Sequence, residues 1–449
     1  MKIKKYNRIP LIALLFGSLL FPTPILGDSF PEELIAQAKE FVDLMVQGEF
    51  SRAVENFDSV MSKAMPEEKL KEVWQTVIEQ AGPFKKQKGT RTETLPKFDI
   101  IYVTCQFEKG NLDVKVVFNR EKQITGLWFA PAQKEYTPPD YVKLNAFKEK
   151  EIVVGSGEWA LPGTLSLPEG KGPFPAIVLV HGSGPNDRDE SIGPNKPFRD
   201  LAWGLASQNI AVLRYEKRTR VHSQRLKDFE GKFTVQEETI DDALVAVNLL
   251  RGVEGIDEQR ICVLGHSLGG MIAPRIGMLD KEIAGFIIMA GTTRPVEEVM
   301  LEQVNYIISI DGKITENEKT RLSEIEKAVE KVKNLKESAS YSGQENLLGA
   351  PAEYWLDLRR YDAPQTAKGL QQPMLILQGG RDYQVTEDDF DGWKNALSSR
   401  KDVEFKFYPK LNHLFIEGKG KSTPAEYSQA SHVAKYVIDD IAAWIKSQI

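Results

Sequence analysis

Cysteine and histidine are scarce in this sequence. Its 449 residues include only two cysteines and five histidines, and no group of them has the spacing of a zinc site. Cys105 and Cys262 each lie within a strand-like apolar run, so we interpret both as buried thiols rather than as disulfide partners. The sequence therefore predicts chemistry that depends on neither a bound metal nor a disulfide.

The sequence also lacks an excess of positive charge and a long apolar run. The formal net charge is −6, which argues against nucleic acid as a partner. The one strong apolar run, at 9–21, has about 13 residues, whereas a membrane-spanning helix needs roughly 20. Hydrophobic residues make up 41% of the chain and charged residues 27%, as in globular proteins. The length predicts about two or three domains.

The N-terminus has the pattern of a secretory signal peptide. Basic residues precede the apolar run, and prolines and Gly27 follow it. We therefore predict a signal peptide at 1–27, export to the periplasm or the exterior, and no stable membrane insertion after cleavage. The alternative is a retained membrane anchor, because Ile25 and Gly27 match the small-x-small cleavage pattern only loosely.

Residues 28–135 predict a small α+β domain. Up to Gln80 the apolar residues recur every three or four positions, as in helices. From Ile101 to Phe118 they alternate with polar residues around a turn at 109–111, as in an antiparallel hairpin. The segment resembles the helix-plus-curved-sheet domains of the nuclear-transport-factor type, including one of unassigned role that precedes some exported bacterial hydrolases. The resemblance implies either ligand binding or a packing or oligomerisation module.

A linker is predicted at 136–150, and strand and helix patterns alternate over 151–449. Such alternation predicts an α/β fold with a mostly parallel sheet and helices on both faces. A helical insertion at about 292–370 interrupts the alternation, and we expect it to cap the active-site end. The alternative is a peripheral decoration. Within it, Tyr354 and Trp355 are expected either to pack or to line a pocket.

An apolar run at 261–264 ends in Gly-His-Ser-Leu-Gly and is followed by a helical pattern. This pattern predicts a nucleophile elbow, in which Gly265 and Gly269 allow a sharp turn that exposes the hydroxyl of Ser267. The turn also directs the backbone N–H of Leu268 and the positive end of the next helix toward an oxyanion formed there.

A serine nucleophile requires a general base, and His413 is the best placed of the five histidines. It follows the last predicted strand, at the strand end where catalytic residues gather in parallel sheets. We expect each of the others to serve elsewhere: His181 to position a loop, His222 to be solvated, His266 to point away from the serine hydroxyl, and His432 to lie mid-helix.

The base requires an acid and the oxyanion requires a second N–H. Asp382 directly follows the strand at 374–377, whereas the competing carboxylates at 387–389 resemble the start of a helix. For the oxyanion hole we choose the backbone N–H groups of Ser183 and Leu268, with Gly184 as the alternative to Ser183. The glycines at 182 and 184 let these groups face the pocket.

Residues 151–449 resemble the bacterial α/β-hydrolase superfamily. The matching motifs are His-Gly-Ser-Gly-Pro at 181–185, Arg-Tyr-Glu-Lys-Arg at 214–218, Gly-His-Ser-Leu-Gly-Gly at 265–270, Gly-Gly-Arg-Asp at 379–382 and Asn-His at 412–413. The order of serine, acid and histidine is also that of these enzymes. The resemblance implies an α/β-hydrolase mostly parallel sheet with a helical cap insertion, preceded by the small α+β domain.

We expect a serine hydrolase that cleaves a small-molecule carboxylic ester through an acyl-enzyme, without a metal or organic cofactor. The main alternative is a peptidase of the prolyl-oligopeptidase type, which would use the same residues. An acyl-CoA thioesterase is a further alternative, although an exported enzyme would rarely meet acyl-CoA. A non-catalytic binding protein is the fourth.

Overall fold

The computed structural model describes residues 32–95, 98–132, 136–229, 231–337, 341 and 346–449. The predicted signal peptide at 1–27 lies outside these residues. The described chain divides into two compact bodies, one ending at residue 135 and the other spanning Tyr136–Ile449. Each is therefore described by itself.

The N-terminal body is an α+β domain. Its described residues form four helices and four strands: α1 (Glu32–Gln47), α2 (Phe50–Ala53), α3 (Ser59–Ala64), α4 (Glu67–Ala81), β1 (Phe84–Leu95), β2 (Phe98–Phe107), β3 (Gly110–Phe118) and β4 (Ile124–Pro131). The strands make an antiparallel sheet in the order β1-β2-β3-β4. One face packs on the helices through apolar residues such as Leu34, Phe41 and Val103.

The other face of this sheet carries a row of alternating cationic and aromatic side chains. Arg91, Tyr102, Lys115 and Trp128 are successive cross-strand neighbours. The Arg91 guanidinium lies 3.7 Å from the centre of the Tyr102 ring, and the Trp128 side chain remains half exposed. Strand β1 was not anticipated from the sequence, because its polar residues lack the alternation that marks β2 and β3.

The second body contains the predicted α/β sheet. Its described strands are β5 (Phe147–Val154), β6 (Leu161–Pro168), β7 (Phe174–Val180), β8 (Ala211–Tyr215), β9 (Ile256–His266), β10 (Gly285–Met289), β11 (Asn346–Leu347), β12 (Ala350–Pro351), β13 (Met374–Gly379) and β14 (Val403–Tyr408). Eight of them form one sheet in the order β14-β13-β10-β9-β7-β8-β6-β5. The six from β14 to β8 are parallel, and β6 and β5 complete the sheet antiparallel.

Helices cover both faces of this sheet. The described helices are α5 (Pro197–Ala206), α6 (Arg218–Val221), α7 (Asp241–Arg251), α8 (Leu268–Leu279), α9 (Val296–Ser309), α10 (Glu316–Lys333), α11 (Ala352–Arg359), α12 (Ala363–Lys368), α13 (Glu387–Leu397) and α14 (Lys435–Gln448). Successive residues of β7 point to opposite faces, so Val178 joins the core under α7 and α8, while Ile177 joins the core under α5 and α14. This alternation explains why the central strands read as continuous apolar runs.

Two boundaries differ from those expected. The predicted linker at 136–150 belongs to the second body, because Tyr136 donates to Asp200, Tyr141 donates to the Val433 carbonyl, and β5 begins at Phe147. The segment around His432, expected to be helical, is instead a short turn at Pro424–Ser428 followed by α14. His432 therefore precedes the helix rather than lying within it.

Candidate active site

Ser267 occupies a sharp turn between β9 and α8. Its φ is +55°, a left-handed conformation that costs a non-glycine residue about 1–3 kcal/mol. A Cβ atom at 265 would lie 2.1 Å from the Gly269 carbonyl oxygen, and one at 269 would lie 2.3 Å from that of Val180. The turn therefore requires glycine on both sides of the serine, as its motif predicts.

His413 and Asp382 are in contact. The imidazole Nδ1 of His413 lies 2.6 Å from a carboxylate oxygen of Asp382, and both side chains are buried. The other oxygen of Asp382 accepts the backbone N–H groups of Gln384 and Val385, at 2.8 and 3.0 Å. These bonds hold the carboxylate in place. With Nδ1 donating to the carboxylate, Nε2 of His413 is the nitrogen that can accept a proton.

His266 ties the elbow to the backbone of His413. As expected, its ring serves elsewhere than at the serine hydroxyl: its Nε2 lies 2.9 Å from the His413 carbonyl oxygen, and its Nδ1 lies 2.8 Å from a carboxylate oxygen of Glu190. Both neighbouring atoms are oxygen acceptors, so this environment favours the charged form of the imidazole. Although burial opposes the charge on each side chain, their attraction raises the pKa of His266 and lowers that of Glu190.

The loop after β7 approaches the elbow closely. A Cβ at Gly182 would lie 3.0 Å from the Cβ of Ser267, so the absence of a side chain at 182 allows this approach. The N–H of Gly182 donates to Glu190 at 2.6 Å, which removes it from any oxyanion hole. Leu268 is the first residue of α8, where backbone N–H groups lack helical acceptors.

Three residues of the motif at 214–218 contact this loop, namely Arg214, Glu216 and Lys217, a role that the sequence did not reveal. Arg214 pairs with Asp189, and Arg188 donates to Glu216 at 2.9 Å. Lys217 donates through Nζ to the Gly182 carbonyl oxygen at 2.7 Å. The signal available in the sequence was a run of charged residues directly after an apolar strand, but their partners are distant in the chain.

The insertion contacts the loop that carries the acid. Tyr306 of α9 stacks on Tyr383 with ring centres 4.9 Å apart, and Gln303 donates to the Gln384 carbonyl at 2.9 Å. Trp355 is almost fully buried and donates to the Leu347 carbonyl, while Tyr354 joins the same core. Of the two roles considered for Tyr354 and Trp355, packing is the one they have.

The remaining histidines have structural surroundings. His181 is buried and its Nε2 lies 3.0 Å from the Asp187 carbonyl oxygen, and burial lowers its pKa to about 4. His222 is partly buried and contacts the Ala160 carbonyl, so it is less solvated than expected. His432 pairs with Asp200 at 3.0 Å.

No group of three or more histidine, cysteine or acidic side chains able to hold a metal occurs among the described residues. Within the same part of the chain, no helix is both long and apolar enough to cross a membrane.

Comparisons with known proteins cover both bodies. Residues 173–419 match the family described as "Serine aminopeptidase, S33", and residues 38–127 match "Protein of unknown function (DUF3887)". Esterase EstD of Thermotoga maritima is 42% identical over 422 residues, which are 90% of this chain and 97% of that protein.

Solved structures with similar folds include two from Pyrococcus species. An acylaminoacyl peptidase of Pyrococcus horikoshii is 15% identical with a TM-score of 0.48, over 81% of this chain and 55% of that one. An esterase of Pyrococcus furiosus is 14% identical with a TM-score of 0.44, over 71% of this chain and 96% of that one.

Proposed function

The chain belongs to the S33 serine aminopeptidase family of α/β-hydrolases, and from this premise we propose that it is an exported serine esterase. Ser267 is its nucleophile, His413 its general base and Asp382 the acid that orients the base. The observation that carries the proposal is the 2.6 Å contact between His413 and Asp382, on loops that follow parallel strands of the same sheet as the elbow.

Catalysis begins when Ser267 Oγ attacks the acyl carbon and its proton passes to Nε2 of His413. The resulting imidazolium is stabilised by Asp382, and the oxyanion accepts the N–H groups of Ser183 and Leu268. Collapse breaks the bond to the alcohol, which leaves with the proton from His413. Water then attacks the acyl-enzyme by the same route, releasing the acid and restoring Ser267.

Two observations favour an ester over a peptide substrate. The full-length relative at 42% identity is named an esterase. An aminopeptidase must also bind a cationic α-amino group, which calls for an available carboxylate. Three buried carboxylates that lie close to the elbow or its supporting loops are engaged: Glu190 with His266, Glu238 with Lys217, and Asp382 with His413.

The family description makes an aminopeptidase the second candidate. The test compares nitrophenyl acetate and butyrate with aminoacyl-nitroanilides as substrates of the purified protein. We expect efficient hydrolysis of the esters and little of the anilides. Preference for the anilides would replace the esterase proposal with the peptidase.

The mechanism is tested by Ser267→Ala. We expect turnover of the nitrophenyl esters to fall at least about a thousandfold, because the nucleophile is lost while the oxyanion donors remain. Labelling by a fluorophosphonate should also disappear. Ser428→Ala is the control, since it removes an exposed hydroxyl that donates to the Ala425 carbonyl. Full activity of Ser267→Ala would end the proposal.

Export rests on the leader pattern at 1–27. The mature N-terminus in the periplasmic or culture fraction should be residue 28, as read by mass spectrometry. An intact Met1 in that fraction would instead indicate a retained anchor.

A further inference from the structure

We propose that Lys217 is a positioning residue that fixes the orientation of the Gly182–Ser183 peptide and so directs the Ser183 N–H into the oxyanion hole. The inference rests on the proposed acyl-enzyme mechanism and deepens it. It assigns a role to a buried cation that the reaction itself does not use.

Lys217 is buried to an extent unusual for lysine. Only 1% of its side chain is exposed, although burying an ammonium group costs several kcal/mol unless its donors are satisfied. Nζ donates to the Gly182 carbonyl at 2.7 Å and to a Glu238 carboxylate oxygen at 2.6 Å. Glu238 therefore balances the charge of Lys217. A second of the three N–H groups of Nζ donates to a single loop carbonyl, that of Gly182.

The Gly182 carbonyl and the Ser183 N–H belong to the same peptide group. In a trans peptide these two groups lie in one plane and point in opposite directions. Holding the carbonyl oxygen against Lys217 therefore turns the Ser183 N–H away from Lys217. Asn186 Nδ2 donates to the same oxygen at 3.2 Å, so two donors fix one orientation.

Glycine makes such a restraint necessary. A peptide flips by rotation of ψ at its first residue and φ at its second, and glycine at the first position leaves ψ almost unrestricted, whereas φ of Ser183 is limited by its side chain. A side chain at 182 would crowd Ser267, so glycine is favoured there and one of the two rotations that turn this peptide meets little resistance. The cation also polarises the carbonyl, which strengthens the N–H of the same peptide as a donor.

The insertion reaches this pair through one side chain. Tyr354 of α11 donates to the second oxygen of Glu238 at 2.6 Å, and burial raises the pKa of Tyr354 so that it keeps its proton. Glu238 itself lies in a π-helical turn, Gln236–Ile240, a geometry frequent at functional sites. One carboxylate oxygen of Glu238 therefore accepts a hydrogen bond from Tyr354, and the other accepts one from Lys217.

The test compares Lys217→Met with Arg218→Met. Each removes one buried cation from adjacent positions, but Arg218 donates to Asp242, whereas Lys217 donates to the Gly182 carbonyl. The readouts are kcat and KM for a nitrophenyl ester, the melting temperature, and the inhibition constant of a trifluoromethyl ketone. Ser267 Oγ adds to the carbonyl carbon of this ketone, and the oxyanion that forms lies in the oxyanion hole.

We expect Lys217→Met to lower kcat about 10- to 100-fold with KM changed less than about threefold. Complete loss of one oxyanion donor lowers kcat roughly 100- to 1,000-fold, and this variant keeps the donor but leaves it less well oriented. The ketone should bind more weakly by the factor by which kcat falls. Lys217→Gln, which keeps an N–H donor, should recover part of both. Arg218→Met should lower the melting temperature while kcat and ketone affinity change less than about twofold.

The proposal is overturned if Lys217→Met keeps kcat and ketone affinity within twofold, or if Arg218→Met reduces them equally. If Lys217→Met does not fold, Asn186→Ala decides, because it removes the second donor to the same oxygen from a partly exposed position. It should lower kcat and ketone affinity together by about three- to tenfold, and no change would overturn the proposal. Failure of the mechanism itself would appear separately, as activity in Ser267→Ala.

Discussion

The two bodies bury charge in different ways. Among the described residues of the N-terminal body, the buried charged side chains are Asp99 and Asp113, each paired with a half-exposed arginine. In the second body, buried charged groups gather beyond the carboxyl ends of the parallel strands, where Glu190, Lys217 and Asp382 lie.

This difference distinguishes a body whose buried charges serve its fold from one whose buried charges lie at a candidate active site. A buried charge costs several kcal/mol unless it is well paired, and such groups cluster at functional sites because reactions need perturbed or oriented charges. The N-terminal body is held mainly by its apolar core. The second body also buries charged groups, and three of them contact the elbow or its neighbours: Glu190 through His266, Lys217 through Gly182 and Asp382 through His413.

The largest expected difference between the bodies is in kcat, when one buried carboxylate in each body is neutralised. Asp382→Asn should lower kcat by about ten-thousandfold, because an amide no longer holds His413 in the required tautomer. Its Oδ1 can still accept the N–H groups of Gln384 and Val385, so the loop should keep its shape. Steady-state kinetics on a nitrophenyl ester and circular dichroism measure the two effects.

Asp113→Asn is the matched change in the N-terminal body. It should alter kcat less than about twofold, because Asp113 bonds to Thr104 and Arg91 within the N-terminal body, whose residues the proposed mechanism does not use. A large loss of kcat in this variant would break the distinction between the bodies.

An intermediate effect is expected on the free energy of unfolding when the pH is lowered. The folded pKa of His181 is about 4, below the ordinary value of 6.5, because the ring is buried. Its neutral form therefore stabilises the fold above pH 6.5, and that contribution is lost as pH falls through 4. The loss amounts to roughly 3.5 kcal/mol, from about 1.4 kcal/mol for each pKa unit.

All five histidines lie in the second body, so acid should weaken this body through a group that the other lacks. Urea unfolding between pH 7 and pH 4 measures the effect. His181→Gln keeps a donor for the Asp187 carbonyl and should flatten the pH dependence. An unchanged slope would show that other groups govern acid unfolding.

The smallest effect is expected on the exposed face of the N-terminal sheet. Trp128→Ala should change kcat/KM for a small ester less than about twofold and the melting temperature only slightly, because the indole is half exposed. Lys115→Ala, its neighbour in the same row, serves as a second probe. A fall beyond fivefold in either would mean that this body takes part in catalysis.

The sequence predicted the fold class, and it located the elbow because Gly265 and Gly269 mark that turn locally. It also placed Asp382 and His413 at strand ends. It could not reveal the braces, since His266 with Glu190 and Lys217 with Gly182 pair across long stretches of chain. Strand β1 was missed for a different reason: a polar edge strand carries no alternation.

The packing of the elbow constrains how such an enzyme can diversify. A side chain at Gly265 or Gly269 would collide with backbone oxygen atoms, which cannot move without displacing the central strands. The turn cannot adapt to single substitutions at these two positions. The position of the Ser267 hydroxyl therefore stays fixed when the substrate specificity of the enzyme changes. New specificity is then expected from the segment that follows β10, whose helix α9 contacts the loop of Asp382 through Tyr306 and Gln303.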